Sequence, residues 1–220
     1  MTVRTVDTDT SPAILLVPGL GNSGPAHWQS LWEAERDDCQ RVDLGMWDAP
    51  HRNSWVTKLG HAIHQSDRPV ILVAHSLGCL TVAWWAALEK PVWQEKVIGA
   101  LLVAPPEVDT APADSRLASF DPAPKGHLPF PSILVASHND PYMRFERARL
   151  LAGFWGSSFA DAGEVGHINA DSNIGSWDFG QFLLARLSGS AIAEQDRAGQ
   201  VWTGHDGLPS SILGQSDLTI

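Results

Sequence analysis

Cysteine is almost missing from this chain: Cys39 and Cys79 are the only two in 220 residues. Two are too few for a disulfide framework or a cysteine metal site, and no CxxC occurs. Basic residues are also scarce, with 15 Lys and Arg against 25 Asp and Glu and a formal net charge of −10. Phosphate backbones are bound by clustered cations, so this balance argues against a nucleic-acid partner. No apolar run approaches the roughly 20 residues of a membrane span. Arg4 is followed by Asp7, Thr8, Asp9 and Thr10 rather than by the apolar stretch of a signal peptide. These absences lead us to expect a cytoplasmic protein without nucleic-acid or membrane partners. HExxH and clustered His/Asp spacings are missing too, as is GK[ST]; Gly19, Gly21 and Gly24 do fall at GxGxxG spacing, a weak signal alone, and neither a metal nor a nucleotide cofactor is expected.

What is present describes a globular enzyme-sized chain, 44% hydrophobic and 18% charged. Strand-like apolar runs fall at Ala13–Val17, Val70–Ala74, Val97–Ala104 and Ser132–Ser137, with shorter candidates at Cys39–Asp43 and Ser157–Asp161. Helical patterns lie between them at His27–Arg36, Trp55–His64, Leu77–Lys90 and Pro141–Phe154, and Trp177–Leu187 closes the series. Strand alternating with helix implies parallel strands and a three-layer α/β/α sandwich. Between Pro105 and Pro131 the chain is proline-rich and can hold at most a short helix near Ser115–Ser119. Periodicity fades from Ser190 onward. The expected organisation is one domain over 1–189 and a partly ordered extension over 190–220, unless Trp202, Ile212 and Leu213 find a groove.

The segment Val70-Ile71-Leu72-Val73-Ala74-His75-Ser76-Leu77-Gly78 carries the functional signal. A buried strand breaks at a serine flanked by small residues and passes into a helix, the pattern of a nucleophile elbow. A nucleophilic serine needs a base to take its proton and a carboxylate to orient that base. The strand Ser132–Ser137 runs out into His138-Asn139-Asp140-Pro141-Tyr142, placing Asp140 at a strand exit. Asp140 also fits a helix N-cap with Pro141 in the first helical position. His167, in Gly163-Glu164-Val165-Gly166-His167-Ile168-Asn169, follows the last candidate strand. Serine, acid and histidine thus stand in the order expected of a triad, at the strand ends where open α/β sheets bind ligands. Asp161 and Asp171 are the reserve acids. His75 is expected to point elsewhere on the turn.

The first strand runs into Pro18-Gly19-Leu20-Gly21-Asn22-Ser23-Gly24, whose glycines let backbone N–H groups face a cleft. The expected oxyanion donors are the N–H groups of Leu20 and Leu77, the latter at a helix start. Ten tryptophans accompany a single tyrosine. Trp28, Trp32, Trp84 and Trp85 fall on helices as packing residues, and Trp47, on a loop after a strand, is a candidate for lining an acyl pocket, with simple core filling as the alternative.

Several of these pieces together resemble a known family. VPGLGNSGPAHWQSLW from Val17 to Trp32, the loop Trp47 to Trp55, AHSLG, SHNDPY and GHIN are similar to the small serine hydrolases of the α/β-hydrolase superfamily. That family is typified by the retinoblastoma-binding protein hydrolase and its bacterial relatives. The resemblance spans about residues 13–187 and implies a compact parallel sheet with Ser76, Asp140 and His167 at the triad positions. Ala74 departs from the elbow's usual first glycine, the tail after Ser190 exceeds the family's usual end, and the animal member's LxCxE segment has no counterpart. The expectation is a metal-independent hydrolase of a small ester or amide; the alternative is a non-catalytic binding or regulatory module on the same scaffold.

Overall fold

The structure, a computed structural model, describes residues 11–89, 96–110 and 114–199. Strands and helices alternate: β1 (Ala13–Val17), α1 (Trp28–Glu35), β2 (Cys39–Arg41), α2 (Arg52–Gln65), β3 (Val70–His75), α3 (Leu77–Glu89) and β4 (Val97–Val103). After a short 3-10 turn at Ser115–Phe120 come β5 (Ser132–Ala136), α4 (Phe145–Trp155), β6 (Ser158–Asp161) and α5 (Asp178–Gly199). The six strands pair in the order β2-β1-β3-β4-β5-β6, and each pairing is parallel.

The apolar runs are unbroken because both faces of the sheet are covered. Leu15, Val17, Val70, Leu72, Ala74, Ala100 and Leu102 face one core, where α2, α3 and α4 contribute Trp55, Leu59, Leu80, Trp85 and Trp155. The intervening Ile14, Leu16, Ile71, Val73, Leu101 and Val103 face a second core with Trp28 and Trp32 of α1 and Leu183, Leu184 and Leu187 of α5. Side chains alternate across a strand, so a strand sandwiched between two helical layers is apolar at every position. This is the three-layer α/β/α arrangement. The chain leaves β1 for β2 on one side and later returns to β3 on the other. That reversal opens a crevice at the carboxyl ends of β1 and β3.

Several element boundaries differ from the sequence reading; α2, for instance, begins at Arg52 rather than Trp55. β2 stops at Arg41 rather than Asp43, although the Val42 N–H still bonds the Leu16 carbonyl at 2.9 Å. α4 begins at Phe145 with Arg144 as its N-cap, so Asp140 is not a helix cap. Residues 141–144 are held as loop, because the Tyr142 N–H bonds the Asp140 carboxylate and the Tyr142 carbonyl accepts from the Glu107 N–H. α5 continues past Leu187 to Gly199, so residue 190 lies inside a helix. Good helix formers such as Ala191, Ala193, Glu194 and Gln195 extend it after the apolar spacing has ended. Trp202, Ile212 and Leu213, for which a groove is expected if they are ordered, lie outside the described residues. Among the described residues no helix is long and apolar enough to cross a membrane.

Candidate active site

The sharpest local feature of the backbone lies between β3 and α3. Ser76 has φ of 53°, in the left-handed region that a non-glycine residue occupies only at a cost of roughly 1–3 kcal/mol. Its N–H is fixed to the Val103 carbonyl at 2.8 Å, and its own carbonyl accepts from Cys79 N–H at 2.9 Å. The turn is possible because its surroundings are glycine. A Cβ on Gly78 would lie 2.2 Å from the Val17 carbonyl oxygen, and one on Gly19 would lie 2.8 Å from the Ser76 Cβ. Ala74, by contrast, sits fully buried with its methyl in the α2/α3/α4 core, so its departure from glycine costs no space. Cys79 is buried on α3 against the carbonyls of Ala74 and Val103, and burial raises its thiol pKa far above the ordinary range.

Two further loops meet this turn. The His167 Nε2 lies 2.9 Å from Ser76 Oγ. The other ring nitrogen, Nδ1, lies 3.0 and 2.9 Å from the two carboxylate oxygens of Asp140. Asp140 is 4% exposed and His167 10%, so this pair is largely screened from water. The acid and histidine loops are stitched together. Asn139 Oδ1 accepts from Ser137 Oγ and from the Gly166 N–H, while the Val165 N–H bonds Ser137 Oγ at 3.0 Å. The reserve acids do not reach the histidine: Asp161 pairs with His138 at 2.9 Å, and Asp171 caps nothing but belongs to the short turn Ala170–Ser172.

The glycine loop after β1 is braced from beneath. Arg41 donates to Asn22 Oδ1, the Ser23 carbonyl and Ser30 Oγ. Fully buried Gln29 accepts from Ser23 Oγ and donates to the Val73 carbonyl at 3.0 Å. The Leu20 and Leu77 N–H groups make no hydrogen bond among the described residues, and Leu77, the first residue of α3, has no carbonyl one turn back to meet. Trp47 does not line the cavity beside Ser76. It is half-buried against Trp55, and its backbone carbonyl accepts from the Gly21 N–H at 3.0 Å, so it supports the loop instead. The sequence placed it on the right loop, but the ring turns inward because a large apolar core lies beneath it.

A cavity of about 270 Å³ opens in front of Ser76. Leu20, Pro106 and Leu117 give it an apolar side, whereas Asn22, Arg116 and Asn169 give it a polar one. Asp114 and Arg116 come from the proline-rich excursion, so that segment forms part of the wall. Two histidines missed by sequence reasoning also border it. His75 does not point away from the site: its Nε2 lies 2.9 Å from the His167 carbonyl oxygen. His27 caps α1 by accepting from the Gln29 N–H, and its ring stands edge-on to His75 with centroids 4.6 Å apart. Burial, aided by Arg41 and His167, pushes the His27 pKa down to about 4, and burial drives His75 well below the ordinary histidine range. The signal for His75 was its place on the rigid strand end beside Ser76, which sequence alone gives no direction.

The tryptophans have a second use besides packing. Indole N–H groups of Trp28, Trp32, Trp55, Trp84 and Trp155 each donate to a main-chain carbonyl, those of Ile168, Ser176, Gly45, Phe120 and Pro124. A buried indole that pins a loop explains why tryptophan is frequent here.

A serine hydrolase family model matches residues 14–186, and the chain belongs to that family. A protein described as a YdeN-like hydrolase of Pectobacterium atrosepticum is 34% identical, with 82% of this chain and 92% of that one covered and a TM-score of 0.72. The ydeN gene product of Bacillus subtilis is 18% identical, with coverages of 80% and 98% and a TM-score of 0.63. A monoacylglycerol lipase of Paleococcus ferrophilus, 13% identical over 81% and 96% of the two chains, has a TM-score of 0.57. The last two show shared fold. No curated protein matches the chain.

Proposed function

We propose that this serine hydrolase cleaves a small ester through an acyl-enzyme on Ser76, with His167 as the base and Asp140 as its partner. The observation that carries the reading is the continuous contact from Ser76 Oγ through His167 to Asp140, at 2.9 Å on either side of the imidazole. Asp140 accepts from Nδ1–H, which leaves Nε2 unprotonated and facing the serine hydroxyl.

In this mechanism the Ser76 Oγ–H proton passes to His167 Nε2 as the oxygen attacks the ester carbonyl carbon. The carbonyl π electrons move onto oxygen, and the Leu20 and Leu77 N–H groups receive that oxyanion. Collapse of the intermediate expels the alcohol oxygen, which takes the proton from His167. Water then repeats the sequence on the acyl-enzyme, returning its proton through His167 to Ser76 and releasing the acid. Ester is preferred over amide because an alkoxide is the easier leaving group. A small-molecule substrate is favoured by the cavity of about 270 Å³, at the low end of ligand-site volumes.

The test is a series of p-nitrophenyl esters of increasing acyl length assayed with wild type and Ser76→Ala. Serine-dependent turnover that is best with short acyl groups supports the reading; equal rates in the two proteins contradict it.

A further inference from the structure

Resting on that hydrolase reading, we propose that His75 is a positioning residue: its ring holds the main chain of His167 so that the imidazole stays aligned with Ser76. The contact is direct, with His75 Nε2 lying 2.9 Å from the His167 carbonyl oxygen. A carbonyl can only accept, so the proton of His75 resides on Nε2 and the ring is the donor.

The turn that carries His167 needs such a hold. Gly166 and Ile168, on either side of His167, have φ of 63° and 49°, so the loop reverses sharply around the imidazole. Its stitching to the acid loop runs through Val165 and Gly166, on the N-terminal side. On the other side two ring N–H groups reach adjacent carbonyls: His75 reaches that of His167, and Trp28 reaches that of Ile168 at 2.8 Å. His75 ends β3, paired to Val103 of β4 next to it, and directly precedes Ser76. The strand that fixes the nucleophile therefore also fixes the base, and their separation is set by one rigid element.

The donor is also of the right charge. The His75 and His167 ring centroids are 5.0 Å apart, close enough for a cation on one to oppose a cation on the other. His167 becomes cationic whenever it takes the serine proton. Burial keeps His75 neutral, so it supplies a hydrogen bond without opposing that charge.

Two amide substitutions separate the bond from mere space filling. The amide nitrogen of glutamine is the same number of bonds from Cα as Nε2 of histidine, whereas that of asparagine matches Nδ1. His75→Gln retains a donor at the carbonyl and His75→Asn does not. Fluorophosphonate labelling of wild-type Ser76 comes first, since its failure would count against the hydrolase reading rather than against this one. With labelling established, His75→Asn is expected to lower kcat roughly tenfold or more at unchanged KM, as expected of a slightly misplaced catalytic group. His75→Gln is expected to stay within about threefold of wild type. Equal kcat in the two variants overturns the proposal. If neither variant folds, the wild type still decides it. Nitrogen-15 NMR of the histidine rings must show His75 protonated at Nε2 with a slowly exchanging proton, and protonation at Nδ1 contradicts the proposal.

Discussion

Gly78 packs its α-carbon against the main chain of Val17 so closely that a Cβ would lie 2.2 Å from the Val17 carbonyl oxygen and 2.8 Å from that of Pro18. The contact is backbone on backbone, between the first turn of α3 and the end of β1. Neither side can rotate away. The elbow therefore depends on glycine at this position for space, not for an unusual φ.

Gly78→Ala is accordingly expected to destabilise the protein by roughly 3 kcal/mol or more, because overpacking here must move the sheet or the helix. Gly153, exposed on α4 with nothing near its notional Cβ, is the control: Gly153→Ala should gain up to about 1 kcal/mol from helix propensity. Urea midpoints of the two variants measure both. A Gly78→Ala protein as stable as wild type would refute the packing argument.

The second prediction concerns the acid. Asp140→Asn should reduce kcat by roughly 10³-fold or more, since the amide no longer selects the tautomer that leaves Nε2 free for Ser76. Asp161→Asn and Asp171→Asn should remain near wild type, because Asp161 is occupied with His138 and neither reaches His167. Steady-state kinetics on one p-nitrophenyl ester compares the three. A large loss in Asp161→Asn or Asp171→Asn with Asp140→Asn unaffected would reassign the acid.

Acid sensitivity follows from His27. Its pKa falls from 6.5 in the unfolded chain to about 4 in the folded one, chiefly through burial. Between those values the unfolded state holds the extra proton, so stability is complete above about pH 6.5 and falls as pH drops towards 4. The loss attributable to this residue is about 3 kcal/mol across that window. His75, also depressed by burial, acts in the same direction. His27→Asn retains a good N-cap for α1 and removes one titrating group. Its melting temperature should therefore decline less steeply than that of wild type between pH 6.5 and 4. Parallel declines would show that His27 protonation is not what destabilises the fold.

Much of this arrangement was legible in the chain. The β3 run and its break at Ser76 marked the elbow, because apolar continuity reports a strand covered on both faces. The order Ser76, Asp140, His167 followed from strand exits. Other features depend on side-chain direction, which periodicity does not carry. Trp47 takes the core-filling alternative rather than the acyl pocket, and His75 turns towards the site instead of away from it. Asp140 was ambiguous because an N-cap and a catalytic acid share a position before a helix. The start of α4 at Phe145 behind Arg144 and the contact of the Asp140 carboxylate with His167 Nδ1 separate them. The end of α5 escapes the apolar pattern for another reason, since good helix formers continue after the apolar spacing has ended.

The most direct test of the central claim is covalent. Full-length protein is treated with a fluorophosphonate probe, digested, and the modified peptide located by mass spectrometry. The account predicts a single adduct on Ser76, lost in Ser76→Ala and greatly slowed in His167→Ala, because only a serine with an adjacent base attacks phosphorus readily. An adduct on another serine such as Ser23 or Ser137, or undiminished labelling of Ser76→Ala, would contradict it.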